Sequence, residues 1–463
     1  MNSRISNYQQ YNYNTITGMQ NSNINTKKHD NFYSDIKFTS SPISAATPNI
    51  TSSVPSFRAE FITDNEKKKY TTLLGMTDKN GRKQLEYLLK TGILLNSNSN
   101  DSSSVLDNLF KIATTDRANG LSGLSLLNDT INTLANPYII TQQFGDIPDE
   151  YRKKAINMYC DGNETNLLKR ATAENEIDVT HSGTCVAASI EFNLAKEMPA
   201  EFARFVEGLS SPKGSVDKVI KLNNLADNTL DAIWLLNAFE VPYEINNFKE
   251  AKLKFAPDKN AMLKAQIQTT HRDPLERSTV DVLMQSTLMQ IGSQQSYNSL
   301  TDKRAGKFNQ NDKGLIEFEK TFTESVVEDK NKLSITYQKV DENARLVGYE
   351  TDFNTMKKHI LQALDMGENV IIGYTQVDPN NVIINGHEIT IIGTKQNRDG
   401  TINFICNDTD DNIQKPIEYN ENFLLPKIHH AALPEAVLRN DIKFVDNWIE
   451  GLNSYKDLKR QAA

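Results

Sequence analysis

Three short stretches carry the side chains able to do chemistry. The first is His181-Ser182-Gly183-Thr184-Cys185-Val186-Ala187-Ala188-Ser189. Gly183 stands two positions before Cys185, and small and apolar residues follow at helical spacing, so the thiol is expected at the start of a helix. The second is Gly386-His387-Glu388, which opens the aliphatic run Ile389-Thr390-Ile391-Ile392-Gly393. The third is Cys406-Asn407-Asp408, at the end of the next strand-like run. Cys, then His, then Asn or Asp is the order of a thiol nucleophile, its base and the group that orients the base.

A thiolate needs stabilisation, and a helix N-terminus and a neighbouring imidazolium both provide it. Cys185 meets the first condition. Of seven His, His387 best meets the second, because it leads a buried strand and a strand is a rigid mount. His29 falls in the polar N-terminal stretch and His271 in another polar stretch. His359 reads as the exposed side of an amphipathic helix, and His429 and His430 as loop residues. A hairpin turn at Asn397-Arg398-Asp399-Gly400 would bring Asn407 and Asp408 back level with His387. Either could hold the imidazole N–H, and strand alternation puts the two on opposite faces.

The elements that must position these groups are helical first and sheet-like later. Residues 1–57 are rich in Asn, Ser, Thr and Gln and read as a disordered leader. Residues 58–170 read as a helical region, a pro-segment or binding module. Its signals are Leu85, Leu88 and Leu89 before Gly92, and Ser104 as an N-cap for Leu106, Leu109, Phe110 and Ile112. After Cys185, Val186, Ile190 and Leu194 repeat every four residues, and Pro199 suits the first turn of a second helix. Val280, Leu283, Met284, Leu288 and Ile291 form the clearest helical face. Residues 293–332 are polar and aperiodic and read as an insertion. A helix closing at Gly367 precedes strand runs Val370–Tyr374, His387–Gly393 and Thr401–Cys406. A final helix is expected within 431–463. This order predicts an α+β fold.

Together these pieces resemble the papain-like cysteine peptidases in the broad sense, including bacterial peptidases related to bacteriocin-leader processing enzymes. The resemblance rests on Gly183-Thr184-Cys185, on the helix and strand from Ala363 to Tyr374, on Gly386 to Gly393 and on Phe404 to Asp408. It covers roughly residues 171–430, and its 351–410 part is the more specific. It implies a nucleophile helix against an antiparallel sheet, peptide or protein substrates, no cofactor and no metal. It also implies catalysis by Cys185 and His387 with Asn407 or Asp408. Such enzymes usually carry a Gln six residues before the Cys as an oxyanion donor; here that position is Val179. One such donor is worth about 3 kcal/mol of transition-state stabilisation. Thr180 and His181 are the nearest substitutes, beside the Cys185 backbone N–H. Many relatives also carry an aromatic where this chain has Val186.

Bulk properties narrow the alternatives. The formal net charge of -8 argues against a nucleic-acid partner. Three Cys (Cys160, Cys185, Cys406) form no disulfide framework and suit a reducing compartment; Cys160 and Cys406 read as packing residues. No apolar run is long enough for a membrane span, and the start lacks a signal-peptide core. The expected location is therefore cytoplasmic, or exported without a cleaved signal, as for an effector. The Asp408–Asn412 run lacks the Gly and Glu of a calcium loop, with Ile413 and Tyr419 in their places. Two other readings share the motifs. One is a transglutaminase-like acyltransferase or amidase, although the Cys185-to-His387 gap is long for those groups. The other is an inactive papain-like scaffold used for protein binding, which the missing Gln would suit.

Overall fold

The computed structural model describes residues 58–142, 183–225, 243–246, 249–270, 277–293, 297–299, 302–304, 314–315, 317–341, 343–410 and 414–438. Thr180, His181, Cys160, His29, His271, the 1–57 leader and the segment beyond residue 438, with Ile442 and Trp448, lie outside the described residues.

Four helices come first: α1 (Asp64–Met76), α2 (Lys79–Lys90), α3 (Val105–Thr114) and α4 (Gly123–Ala135). Their starts follow from local chemistry. Thr63 and Glu66 form a reciprocal capping box on α1, and Ser104 and Asp107 form one on α3. Gly92, with φ of 74°, takes the left-handed turn just after α2. Two further helices follow, α5 (Cys185–Glu197) and α6 (Pro199–Ser210), the latter with Pro199 in its first turn as expected. Leu85, Leu106, Leu109, Leu127 and Ile131 share one continuous core with Val186, Ile190, Phe192, Phe202 and Phe205. The leading helices are thus part of the packing around Cys185.

Next come β1 (Val216–Lys221), β2 (Tyr243–Asn246) and β3 (Glu250–Phe255), which form a small sheet of order β1-β3-β2. Helices α7 (Ala261–Thr270) and α8 (Thr279–Gly292) follow, the latter opened by a Ser278–Asp281 capping box. The hydrophobic face expected on α8 is only part of its environment, because it is buried on all sides.

The 293–332 stretch is more ordered than its composition suggested. It holds the short pair β4 (Tyr297–Asn298) and β5 (Lys303–Arg304), and then α9 (Glu317–Glu328). The charges of α9 are buried in pairs beyond the helix: Lys332 Nζ, at the start of the next strand, lies 2.5 Å from Glu324, and Lys320 Nζ lies 3.3 Å from the distant Glu388. Such pairs are invisible to periodicity, which is why the stretch reads as a loop.

The main sheet has the order β12-β11-β10-β9-β13-β6, every neighbour antiparallel. Its members are β6 (Lys332–Thr336), β9 (Val370–Val377), β10 (Ile383–Gln396), β11 (Ile402–Asn407), β12 (Ile417–Asn420) and β13 (Ile428–Pro434). A hairpin, β7 (Gln338–Val340) with β8 (Leu346–Tyr349), precedes α10 (Phe353–Asp365). The short helix α11 (Glu421–Leu424) lies between β12 and β13, and α12 (Glu435–Leu438) follows β13. Alternation along β9 divides the packing: Ile371 joins the helical core, while Val370 and Ile372 pack with Met356, Ile360 and Ala363 of α10. The sheet therefore has helices on both faces, a mixed α+β architecture.

Three readings are corrected. Residues 431–434 belong to β13 and not to a final helix, so His429 and His430 are buried strand residues. His359 is buried, not exposed, with its Nδ1 3.1 Å from the Tyr337 hydroxyl. Asn407 pairs with Thr390 and not with His387, because the turn at 397–400 sets Gln396 opposite Ile402, and that register, even with the shift between Ile391 and Gly393, brings Asn407 back only as far as Thr390. Among the described residues no helix is long and apolar enough to cross a membrane.

The shared core makes a prediction. Leu127→Ala should cost about 2–5 kcal/mol. In urea, alkylation of Cys185 should then begin at the same lowered concentration as loss of helical circular dichroism. Cys185 protection that outlasts the helical signal would mean that the leading helices fold apart from it.

Candidate active site

Cys185 is the first residue of α5 and is 4% exposed. Gly183, with φ of 68°, turns the chain into the helix, a conformation that disfavours any residue with a Cβ. Thr184 precedes the helix, but its side chain does not cap it; its hydroxyl donates instead to Gln285 Oε1 at 2.7 Å. The first N–H groups of a helix have no intrahelical acceptor, so they give the thiol end a positive local field.

His387 sits on β10 directly opposite Tyr374 of β9, and the two rings meet edge to face at 5.6 Å. Its Nε2 and Asp408 Oδ1 are 2.7 Å apart. The Cys185 thiol beside the ring also favours its charged form. With Nε2 engaged by Asp408, Nδ1 is left for the sulfur. Burial opposes charging the ring, yet the Asp408 carboxylate outweighs it, and the His387 pKa lies well above its ordinary value. Burial likewise works against the Asp408 carboxylate, but the imidazolium, and the Asp410 backbone N–H donating at 3.0 Å, hold its pKa below the usual range.

The pH consequence follows from these directions. The stability that His387 contributes is full below about 6.5 and is lost as pH rises through its higher folded-state pKa. The contribution of Asp408 is full above about 4 and is lost as pH falls through its lowered folded-state pKa. The pair is therefore most stabilising between those limits.

Cys185, His387 and Asp408 are thus brought together, and Asn407 is not part of the group. Asn407 is buried opposite Thr390, and neither its Nδ2 nor the Thr390 hydroxyl has a hydrogen-bond partner among the described residues. Asp408 reaches His387 because the chain leaves the strand there. Thr409, the next residue, accepts at its carbonyl from the Gln142 N–H and the Thr141 hydroxyl, each at 3.0 Å. Cys406 is fully buried in the sheet core, and burial pushes its thiol pKa up.

Three contributors were not legible in the sequence: Tyr374, the Thr141–Gln142 segment and Gln285. Tyr374 was visible only as a strand residue. Gln285 stands off the apolar face of α8, where a polar residue on a helix is ordinary, so the sequence carried no signal for it.

Elsewhere, the carboxylates of Glu197, Glu328 and Glu368 lie close enough together to hold a metal ion. The Lys330 ammonium already sits among them, 2.6 Å from Glu197, 2.7 Å from Glu368 and 3.3 Å from Glu328. The ammonium already takes the place a cation would fill, which makes this a poor cation site.

No protein-family model, curated protein or solved structure matches the chain.

The geometry makes Asp408 the group that charges the imidazole. Asp408→Asn should lower the His387 pKa toward or below about 6.5, read from the pH titration of the ring proton signals by NMR. Asn407→Ala should leave that titration in place. The reverse pattern would assign the orienting role to Asn407.

Proposed function

We propose that this chain is a cysteine-type peptidase with a papain-like arrangement, in which Cys185 is the nucleophile, His387 the base and acid, and Asp408 the orienting carboxylate. The observation that carries the reading is one imidazole engaged at once by the Asp408 carboxylate, at 2.7 Å, and by a thiol on the first residue of a helix. Two further features support it. The nucleophile helix packs against the face of an antiparallel sheet that carries the base, and His387 is clamped by Tyr374 on the neighbouring strand.

In this reading the Cys185 thiolate attacks the substrate carbonyl carbon, and the carbonyl electron pair moves onto oxygen. The Cys185 backbone N–H, with no intrahelical partner, is positioned to donate to that oxyanion. As the tetrahedral carbon collapses, the C–N bond breaks and protonated His387 gives its proton to the leaving amine, which leaves a thioester on Cys185. Neutral His387 then takes a proton from water, whose oxygen attacks the thioester carbonyl. The C–S bond breaks, the acid departs and the thiolate–imidazolium pair is restored. Asp408 stays ionised throughout and holds the ring with Nδ1 toward sulfur.

The test is turnover of a fluorogenic peptide library, together with labelling by a peptidyl epoxide read residue by residue in the mass spectrometer. Labelling should fall on Cys185 and spare Cys406. His387→Ala should lower kcat/KM by roughly 10²–10⁴, and Cys185→Ala should abolish turnover. Product that forms only when an amine acceptor is added would redirect the assignment to acyl transfer. Absence of both labelling and turnover would leave a binding scaffold.

A further inference from the structure

One buried side chain joins the two halves of this site. Gln285, on α8, is fully buried, and every polar atom of its amide is engaged. Its Nε2 donates to the Thr141 carbonyl at 2.9 Å and to Glu191 Oε2 at 3.0 Å. Its Oε1 accepts from the Thr184 hydroxyl at 2.7 Å. The amide orientation is not arbitrary. A backbone carbonyl can only accept, so the nitrogen must face Thr141 and the oxygen must face Thr184.

Each of these partners borders the reacting groups. Thr184 is the residue immediately before Cys185. Thr141 holds Thr409 through its hydroxyl, and the adjacent Gln142 N–H bonds the same carbonyl. Thr409 follows Asp408, which holds His387, and His387 bonds Cys185. The bonds close a ring: Cys185, Thr184, Gln285, Thr141, Thr409, Asp408, His387 and back to Cys185. Gln285 is the member that ties the thiol side of this ring to the carboxylate side from behind.

We propose that Gln285 is a positioning residue that sets the distance between the Cys185 thiol and the Asp408-held imidazole. The inference rests on the peptidase reading of the same site and deepens it.

The chemistry of the position makes Gln hard to replace. Glu would present two acceptors to the Thr141 carbonyl and stand beside Glu191. Met has a similar volume but removes the acceptor of the Thr184 hydroxyl and the donor to the Thr141 carbonyl that Gln285 supplies. The third contact is to Glu191, whose pKa is pushed up by burial and by the nearby Asp281 carboxylate.

A readout specific to alignment is the pH dependence of Cys185 alkylation by iodoacetamide, measured on the full chain by peptide mass spectrometry. A thiol paired with an imidazolium keeps reacting well below about pH 8.5, where an unpaired thiol loses its thiolate. Wild type should show that acid-side reactivity, and His387→Ala should remove it. Gln285→Met should lower the rate at pH 6 by ten-fold or more, with Cys406 still unlabelled as the sign that the sheet core is intact. Thr184→Val should do the same by breaking one arm of the bridge, and Thr184→Ser should restore the profile. Should Gln285→Met expose Cys406, the Thr184 pair decides the matter alone. Profiles of Gln285→Met and Thr184→Val that superimpose on wild type, while His387→Ala still changes the profile, would overturn the positioning role and leave the peptidase reading standing. No effect of His387→Ala would overturn the pairing itself.

Discussion

The burial of α5 from Cys185 to Ala195 is the constraint around which the rest of the molecule is arranged. From Cys185 to Ala195 every residue is buried, including Glu191 and Asn193. A helix in that position has no solvent-facing stripe, so each polar side chain on it must find a partner in the protein or destabilise the fold by about 1–3 kcal/mol. The partners come from every direction. Gln285 of α8 meets Glu191, and Asn369, just before β9, donates to Asn193 at 3.0 Å. The helical layer supplies the apolar contacts on one side and the sheet those on the other. The thiol at the head of this helix is held on a body that cannot shift without disturbing all of them.

A second theme is the use of buried charge at the joins between elements. Lys320 of α9 and His430 of β13 both reach Glu388, at 3.3 Å and 2.9 Å. The pairing of Glu388 with Lys320 and His430 outweighs burial and holds its pKa down at about 2. Gly373 lies directly beneath, where any Cβ would collide with the His430 ring. Arg277 bonds Asp302 with one nitrogen to both carboxylate oxygens, at 3.0 and 2.9 Å. Buried pairs of this kind add little net stability over apolar packing, since desolvation cancels most of the attraction. Breaking one partner leaves a charge in the interior, however, so they penalise any other arrangement of α9, β10 and β13. Glu388 neighbours His387 in the chain, so this junction also anchors the strand that presents the base.

The end of β11 shows how one hairpin divides two adjacent residues. Asn407 is still in the ladder, opposite Thr390, whereas Asp408 has left it. The departure is stabilised by Thr409, whose carbonyl is held from the other side by the loop after α4. The carboxylate consequently points at His387 and not along the strand. The segment that follows the leading helices therefore contributes to the site through the Thr141 hydroxyl and the Gln142 N–H, both held on the Thr409 carbonyl.

Local patterns in the sequence determined the helix starting at Cys185, the Pro199 break, the Ser104 cap, the α10–β9 unit closing at Gly367 and the β10–β11 hairpin. These depend on short-range rules of capping, turn chemistry and periodicity, which act over a few residues. The sequence also carried a Cys, a His and an Asn-Asp pair in a meaningful order. What it left open was decided by contacts between residues far apart in the chain. Asp408 rather than Asn407 faces His387 because the ladder ends at Asn407 and a loop more than 260 residues away holds the chain beyond it. The 317–328 segment is a buried helix because its charges find partners across the sheet. Gln285 belongs to the site because α8 crosses behind α5. A one-residue slip of register or a distant ion pair has no local signature, so only the tertiary structure determined which polar residues became partners.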